Sequence, residues 1–238
     1  MIGFILAGGR GTRLRPHTEE IPKPLLEVGG KTILGHQIET LINEGVSPIL
    51  IVTGFLAEKI TTFVNENFPN QDFIFIHNSE YESSKPAFAI IKSLEHLTDT
   101  TLYLNGDVFY EPQILKEVIE NKNDSATAIQ ETNWDEEEVK VIIDKDGFIS
   151  ELSKNLTKEE SSGEFIGITK LGDKFIDSIK EIAQNEGVEV FRHSFAIDLL
   201  NHVIHKSDNK IYAVNVTKLK AIEIDTPEDL NSAKDKFK

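Results

Sequence analysis

The stretch Ile2 to Pro24, IGFILAGGRGTRLRPHTEEIPKP, constrains this chain more than any other. Ile2 to Ala7 is an apolar run of the length of one buried strand, and it breaks into a loop containing Gly8, Gly9 and Gly11. Glycine permits dihedrals and backbone approaches closed to other residues, so this loop is suited to wrapping an anion. Consecutive backbone N–H groups form a concave nest for phosphate. Arg10, Arg13 and Arg15 add fixed charge and forked donors that match phosphate oxygens. A polyphosphate is the expected guest. Lys23 follows between Pro22 and Pro24, which restrict the backbone and keep one ammonium at a defined place. The competing reading, basic residues decorating a surface loop, is disfavoured by the glycines among them.

Two familiar phosphate loops do not fit. A Walker loop ends in Gly-Lys followed by Ser or Thr, whereas this run ends Gly11-Thr12-Arg13. A dinucleotide fingerprint needs a small third residue where the helix packs on the strand, and Leu14 is bulky.

A chain of 238 residues with no Gly/Ser/Pro-rich linker reads as one domain, 1–238. The first apolar run is too short for a membrane span and lacks a basic leader, so the expected location is cytoplasmic. The absence of cysteine excludes disulfides and thiol catalysis. A net charge of −15 argues against a nucleic-acid surface. Residues 1–31 nevertheless sum to +2, leaving −17 for the remainder, so the positive charge is concentrated where the glycines are.

Along the chain, strand and helix signals alternate as in an α/β fold. Ile33, Leu34, Ile38, Leu41 and Ile42 make a helical stripe ending near Gly45, and Ile49 to Val52 is a second buried strand. Leu56, Ile60, Phe63 and Val64 mark a helix, Phe73 to Ile76 a strand, Ala87 to Leu97 a helix and Thr101 to Leu104 a strand, with a loop opening at Asn105. Val139 to Ile143 and Phe148 to Leu152 flank Asp144-Lys145-Asp146-Gly147, a turn composition that predicts an antiparallel hairpin. A strand at Phe165 to Ile168 follows, then helices at Lys174 to Ala183 and Phe195 to Ile204. Ile211 to Val214 and Ala221 to Ile224 are expected to complete the sheet. The fold class is therefore a Rossmann-like mixed, mainly parallel sheet flanked by helices, with a hairpin excursion near 139–153.

Asp107 stands just after one strand, at the carboxyl edge where open α/β sheets bind ligands. Asp225 stands after another strand and before Thr226-Pro227-Glu228-Asp229, where Thr226 can cap a helix, Pro227 can occupy its first turn and Asp229 can complete a capping-box-like pair. Two strand-end carboxylates can converge on Mg²⁺, which takes one or two carboxylates with phosphate oxygens and water. The plainer alternative is a turn at Asp107 and a helix start at Asp225. Glu223 is a third candidate that strand alternation can point either way.

The residues Leu6-Ala7-Gly8-Gly9, Gly11-Thr12-Arg13-Leu14, Pro22-Lys23-Pro24, Asn105-Gly106-Asp107 and Glu223 to Leu230 together resemble the sugar-phosphate nucleotidyltransferase superfamily. The later part is most similar to its phosphocholine cytidylyltransferase-like branch. The resemblance implies transfer of a nucleoside monophosphate from a triphosphate, by resemblance CTP, to a small phosphorylated or phosphonylated acceptor, with release of pyrophosphate. It implies catalytic Arg13 and Lys23, Mg²⁺ on Asp107 and Asp225, and nucleotide contacts from Leu6, Ala7, Gly8, Gly9, Gly11, Thr12, Arg13, Asn78, Asn105 and Gly106. Lys154 falls where the family places a lysine on the acceptor phosphate, with a surface lysine as the rival reading.

For the acceptor, Glu80, Tyr81, Glu82, Trp134 and Glu164-Phe165 form a mixture that can cage a cation through carboxylates and aromatic faces. This favours a phosphocholine or aminoethylphosphonate type, with Tyr81, Glu164 and Lys154 as acceptor residues. Lys85 would repel a quaternary amine if it pointed inward. A sugar 1-phosphate is the alternative acceptor. An inactive nucleotide-binding regulatory subunit and a glycosyltransferase are the other function classes. No residue type in the first loops separates cytosine from uracil, and no coiled-coil heptad sets an oligomeric state.

Overall fold

A computed structural model describes residues 1–131 and 138–238. Trp134 and the acidic Asp135 to Glu137 that follow it lie outside the described residues. In chain order the elements are β1 (Ile2–Leu6), β2 (Glu27–Val28), β3 (Lys31–Thr32), α1 (Ile33–Asn43), β4 (Ile49–Thr53), α2 (Ala57–Asn67), β5 (Phe73–His77), α3 (Pro86–Lys92), β6 (Thr101–Asn105), β7 (Val108–Tyr110), α4 (Pro112–Glu120), β8 (Ala126–Gln130), β9 (Lys140–Ile143), β10 (Ile149–Ser153), β11 (Gly163–Leu171), α5 (Asp173–Glu186), α6 (Ala196–Lys206), β12 (Tyr212–Asn215), β13 (Ala221–Glu223) and α7 (Pro227–Lys236). This is the expected Rossmann-like α/β class, with the hairpin at β9–β10. The chain packs as two compact units. One comprises Met1–Glu82, Tyr103–Pro112 and Lys220–Lys238, the other Ser83–Leu102 and Gln113–Leu219.

In the first unit β1, β4 and β5 run parallel, with Phe4 opposite Leu50 and Leu50 opposite Ile74. Every residue of β4 is buried, as expected of a parallel strand covered on both faces. Helix α1 starts where Thr32 Oγ1 accepts a hydrogen bond from Gly35 N at 3.0 Å. Its Ile33, Leu34, Ile38 and Leu41 are wholly buried, so the apolar stripe is core. The chain then turns at Gly45, whose φ of 71° suits glycine.

The expectation that Ala221 to Ile224 completes the main sheet is corrected. β13 pairs antiparallel with β7 in a separate two-stranded ribbon, Glu223 opposite Val108 and Ala221 opposite Tyr110. Two three-residue strands are too short to show a period, and each finds its partner more than 100 residues away. Beneath the ribbon lies an apolar cluster of Leu14, Leu26, Val28, Ile33, Phe109, Ile224, Leu230 and Ala233. Burying Leu14 there contributes about 1.5–3 kcal/mol and pins the glycine loop to the core.

In the second unit β8 pairs antiparallel with β11 and parallel with β12, while β9 pairs with β10 and β11. The hairpin turn closes on Asp144, whose Oδ1 accepts from Asp146 N and Phe148 N, each at 2.9 Å. Those bonds, that from Phe148 first, hold its carboxyl below the usual aspartate value.

Candidate active site

The glycine loop is shaped by two features of the first unit. Gly11 has φ 58°, and a Cβ on it would lie 3.1 Å from Lys23 Cβ, so the turn carrying Arg13 sits directly on Lys23. Thr18 Oγ1 fastens this arrangement by donating to Gly11 O at 2.7 Å. After Gly11 the chain makes only a single 3₁₀ turn, Thr12–Leu14, and not the long helix of a dinucleotide fold. Gly106 is required by packing: a Cβ there would meet Leu6 O at 2.1 Å, so only glycine lets the ends of β1 and β6 come this close. Gly54, which the sequence reading did not single out, is pressed in the same way against Gly8 O.

The ribbon explains how two distant carboxylates meet. Because β7 and β13 are antiparallel, the residue before β7 lies beside the residues after β13. Ile224 N donates to Asp107 O at 3.0 Å, continuing the ladder. Alternation sends the wholly buried Ile224 into the core and leaves Glu223 and Asp225 on the other face. Carboxylate oxygens of Asp107, Glu223 and Asp225 all lie within 4.8 Å of one another, and the three side chains are half-buried. Behind Asp225, Thr226 and Asp229 form the expected capping box at the start of α7. Asp229 Oδ2 also accepts from Asp225 N at 3.0 Å, so the cap fixes the acid's backbone.

Like charges this close repel by a few kcal/mol per ionised pair at an effective dielectric of about 20. Here the loop supplies the opposing charge. Lys23 Nζ donates to Asp107 Oδ2 at 2.7 Å and to Asp225 Oδ1 at 2.6 Å, and Arg13 Nη2 donates to Asp225 Oδ2 at 2.5 Å. Lys23 is only 7% exposed. Burial pulls its proton affinity down, but Asp107 and Asp225 more than reverse this, and the ammonium is held above the ordinary lysine value. Asp107 Oδ1 is buried and has no hydrogen-bond partner among the described residues. A carboxylate oxygen left bare in a cluster of hard oxygen donors suits a divalent cation such as Mg²⁺. Nearby, the buried Tyr103 hydroxyl donates to Asn105 Oδ1. Burial first, then the charges of Asp107 and Glu223, raise its pKa and keep it protonated.

The remaining nucleotide candidates of this unit line the same strand ends. Ala7 N donates to Val52 O at 2.9 Å and Phe55 N to Gly8 O at 3.1 Å. Gly9 and Thr12 are exposed, and a Cβ on Gly9 would meet nothing within 4 Å. Asn78 N donates to Thr53 O at 2.8 Å, while its Oδ1 accepts from Glu80 N at 3.1 Å and shapes the loop that follows. Arg10 is turned away from the acids: it pairs with Glu82 at 2.8 Å and lies 5.5 Å from the Phe55 ring centre. Tyr81 tilts against Phe55 with ring centres 6.4 Å apart. Glu82 is therefore already neutralised by Arg10, a pairing across 72 residues that carries no sequence signal.

Lys154 and Glu164 belong to the second unit. Lys154 is exposed, and its carbonyl accepts from the buried Lys140 at 3.2 Å. Glu164 is half-buried in β11, opposite Gln130 and Lys140. Lys85, also of this unit, places Nζ 3.7 Å from the centre of the Phe195 ring, so that aromatic face takes up its charge.

The sequence profile of the family described as nucleotidyl transferase matches residues 2–141, more than half of the chain. A bifunctional protein GlmU of Methanococcus maripaludis is 33% identical over 192 residues, 80% of this chain but 44% of the relative, so the chain spans about half the length of that protein. A CTP:phosphoglutamine cytidylyltransferase of Campylobacter jejuni is 24% identical, the match covering 94% of this chain and 93% of the relative. The solved CTP:phosphocholine cytidylyltransferase of Streptococcus pneumoniae shares the fold with a TM-score of 0.78 at 20% identity, over 100% of this chain and 99% of its own.

Proposed function

The chain belongs to the nucleotidyl transferase family, and on that premise we propose that it moves a cytidylyl group from CTP onto a small phosphorylated or phosphonylated acceptor, releasing pyrophosphate. The observation that carries this reading is the cluster of Arg13, Lys23, Asp107 and Asp225 at the mouth of the glycine loop. CTP, and an acceptor of the phosphocholine or aminoethylphosphonate type, are supported by the names of two relatives that pair CTP with a phosphorylated nitrogen compound. We also propose a single catalytic domain and a cytoplasmic location. The chain passes between the two units at 82/83, 102/103, 112/113 and 219/220, which ties them covalently several times over.

In this mechanism an acceptor phosphate or phosphonate oxygen attacks the α-phosphorus. A new P–O bond forms as the bond to the β-phosphate breaks, and the electron pair leaves on pyrophosphate. The nucleophile is already an anion, so no side chain has to remove a proton. What the protein contributes is alignment and neutralisation of growing negative charge. Arg13 and Lys23 supply fixed cations beside the loop, and the Gly8 to Gly11 backbone supplies donors for the phosphates. Asp107 and Asp225 would hold Mg²⁺, with Glu223 within reach. Bound there, the ion supplies positive charge for the phosphate oxygens.

The acceptor class is tested by offering CTP with phosphocholine, phosphoethanolamine, 2-aminoethylphosphonate and several sugar 1-phosphates at equal concentration and comparing specificity constants. The account expects an amine-bearing acceptor to lead. A sugar 1-phosphate in first place would replace the acceptor and leave the transfer reaction standing. Arg10 already pairs with Glu82, so within the first unit Glu80 and Tyr81 are the candidates to read such an amine.

A further inference from the structure

A buried amide lies beneath the turn that carries Asp107. Gln37 projects from α1 and is wholly buried, on a helix whose neighbouring Leu34, Ile38 and Leu41 are apolar core. Its Nε2 donates to Asn105 O at 2.8 Å and to Val108 O at 2.9 Å, the two carbonyls that bracket Gly106 and Asp107. Among the described residues its Oε1 finds no hydrogen-bond donor. Leaving an acceptor unsatisfied in the core is unfavourable, and packing alone would be served by leucine or methionine, so the amide's task is set by its two donor bonds. The Asp107 turn is thereby held from two sides, by Gln37 at its flanks and by Ile224 N on Asp107 O. Lys23 and Arg13 offset the repulsion among the three acids only while the Asp107 turn stays in place, and a clamp on its backbone keeps it there.

We infer that Gln37 is a positioning residue, whose bonds to the two carbonyls fix Asp107 where it can share a divalent cation with Asp225. The inference rests on the reading of Asp107 as a cation carboxylate. Groups that orient metal ligands typically change metal affinity by 10–100-fold when removed, so the effect belongs in binding as well as turnover.

The experiment uses the full chain without nucleotide and Mn²⁺ as an oxygen-preferring stand-in for Mg²⁺, with affinity read from the free-ion electron paramagnetic resonance signal. Gln37→Met, the isosteric Gln37→Glu, Asp107→Asn and His36→Phe are compared with wild type, each checked for a cooperative melt. His36 is the control: it is the preceding residue of α1, also buried, and bonds Tyr110 O at 2.7 Å, outside the bracketed turn. The expected result is roughly tenfold weaker Mn²⁺ binding by both Gln37 variants, near-complete loss in Asp107→Asn, and wild-type affinity in His36→Phe. If Asp107→Asn loses the ion while whichever Gln37 variant folds keeps wild-type affinity, Gln37 is only a packing residue. If Asp107→Asn binds as tightly as wild type, the cation site itself is misassigned and this inference falls with it.

Discussion

Lys23 in the first unit and Lys170 in the second are each 7% exposed, yet their surroundings act on their proton affinities in opposite directions. Lys170 Nζ donates to Ile119 O at 3.2 Å and Asn121 O at 2.6 Å, carbonyls at the end of α4. Burial lowers its pKa, and attraction to Asp124 does not make up the difference. Lys23 meets two carboxylates, 84 and 202 residues away in sequence, and its pKa rises. Burial alone thus penalises a cation, and only opposite charge reverses the sign. Lys170 finishes a helix, where a cation also suits the dipole. Lys23 sits among acids that would otherwise repel one another, an arrangement costly to stability and suited to the chemistry proposed for it.

The largest expected break in that comparison comes from Asp107→Asn. Removing one carboxylate from the cluster should lower turnover by about 10³-fold or more while shifting the melting temperature little, since the side chain is half-exposed at a strand end. Steady-state rates across a Mg²⁺ series, with calorimetry alongside, check both halves of the statement. Arg13→Ala comes next, with kcat lower by about 10²-fold. Should only the KM for the triphosphate rise, Arg13 would be a binding residue and not a stabiliser of the transition state.

Lys170→Met supplies the opposite case. Two carbonyls would lose their donor, so stability should fall by about 1–3 kcal/mol while activity per folded molecule stays unchanged. Urea titration and specific activity measure the two effects separately. Smallest of all is a pH effect at His36, where burial, only partly opposed by the bond to Tyr110 O, lowers the pKa below its ordinary value. The unfolded chain then takes up the proton more readily than the folded one. The contribution to stability is therefore present above about pH 6.5 and is lost progressively as the pH falls below it. His36→Phe should flatten that part of the stability curve.

How much of this was legible depended on whether the signal was local. Ile33 to Leu41 and Ile49 to Val52 announce their elements because the period repeats within a few residues. Asp107 and Asp225 were legible as carboxylates at strand ends, and Thr226 with Asp229 as a helix start. The ribbon that brings the acids together was not, because Val108–Tyr110 and Ala221–Glu223 are too short for a pattern. Arg10 was expected on phosphate, and its pairing with Glu82 had no local signal. Gln37 looks like one polar residue on an apolar stripe until Asn105 O and Val108 O are seen to face it. Trp134, expected near the acceptor, lies outside the described residues.

The central claim is that the Lys23, Asp107 and Asp225 cluster serves nucleotidyl transfer and not hydrolysis or passive binding. The most direct measurement follows CTP labelled at the α-phosphate, with Mg²⁺ and an amine-bearing phosphorylated acceptor. The account predicts one pyrophosphate released for each labelled acceptor product, with neither formed when acceptor or Mg²⁺ is omitted. Label released as free CMP, or left in CTP under every acceptor offered, would contradict it.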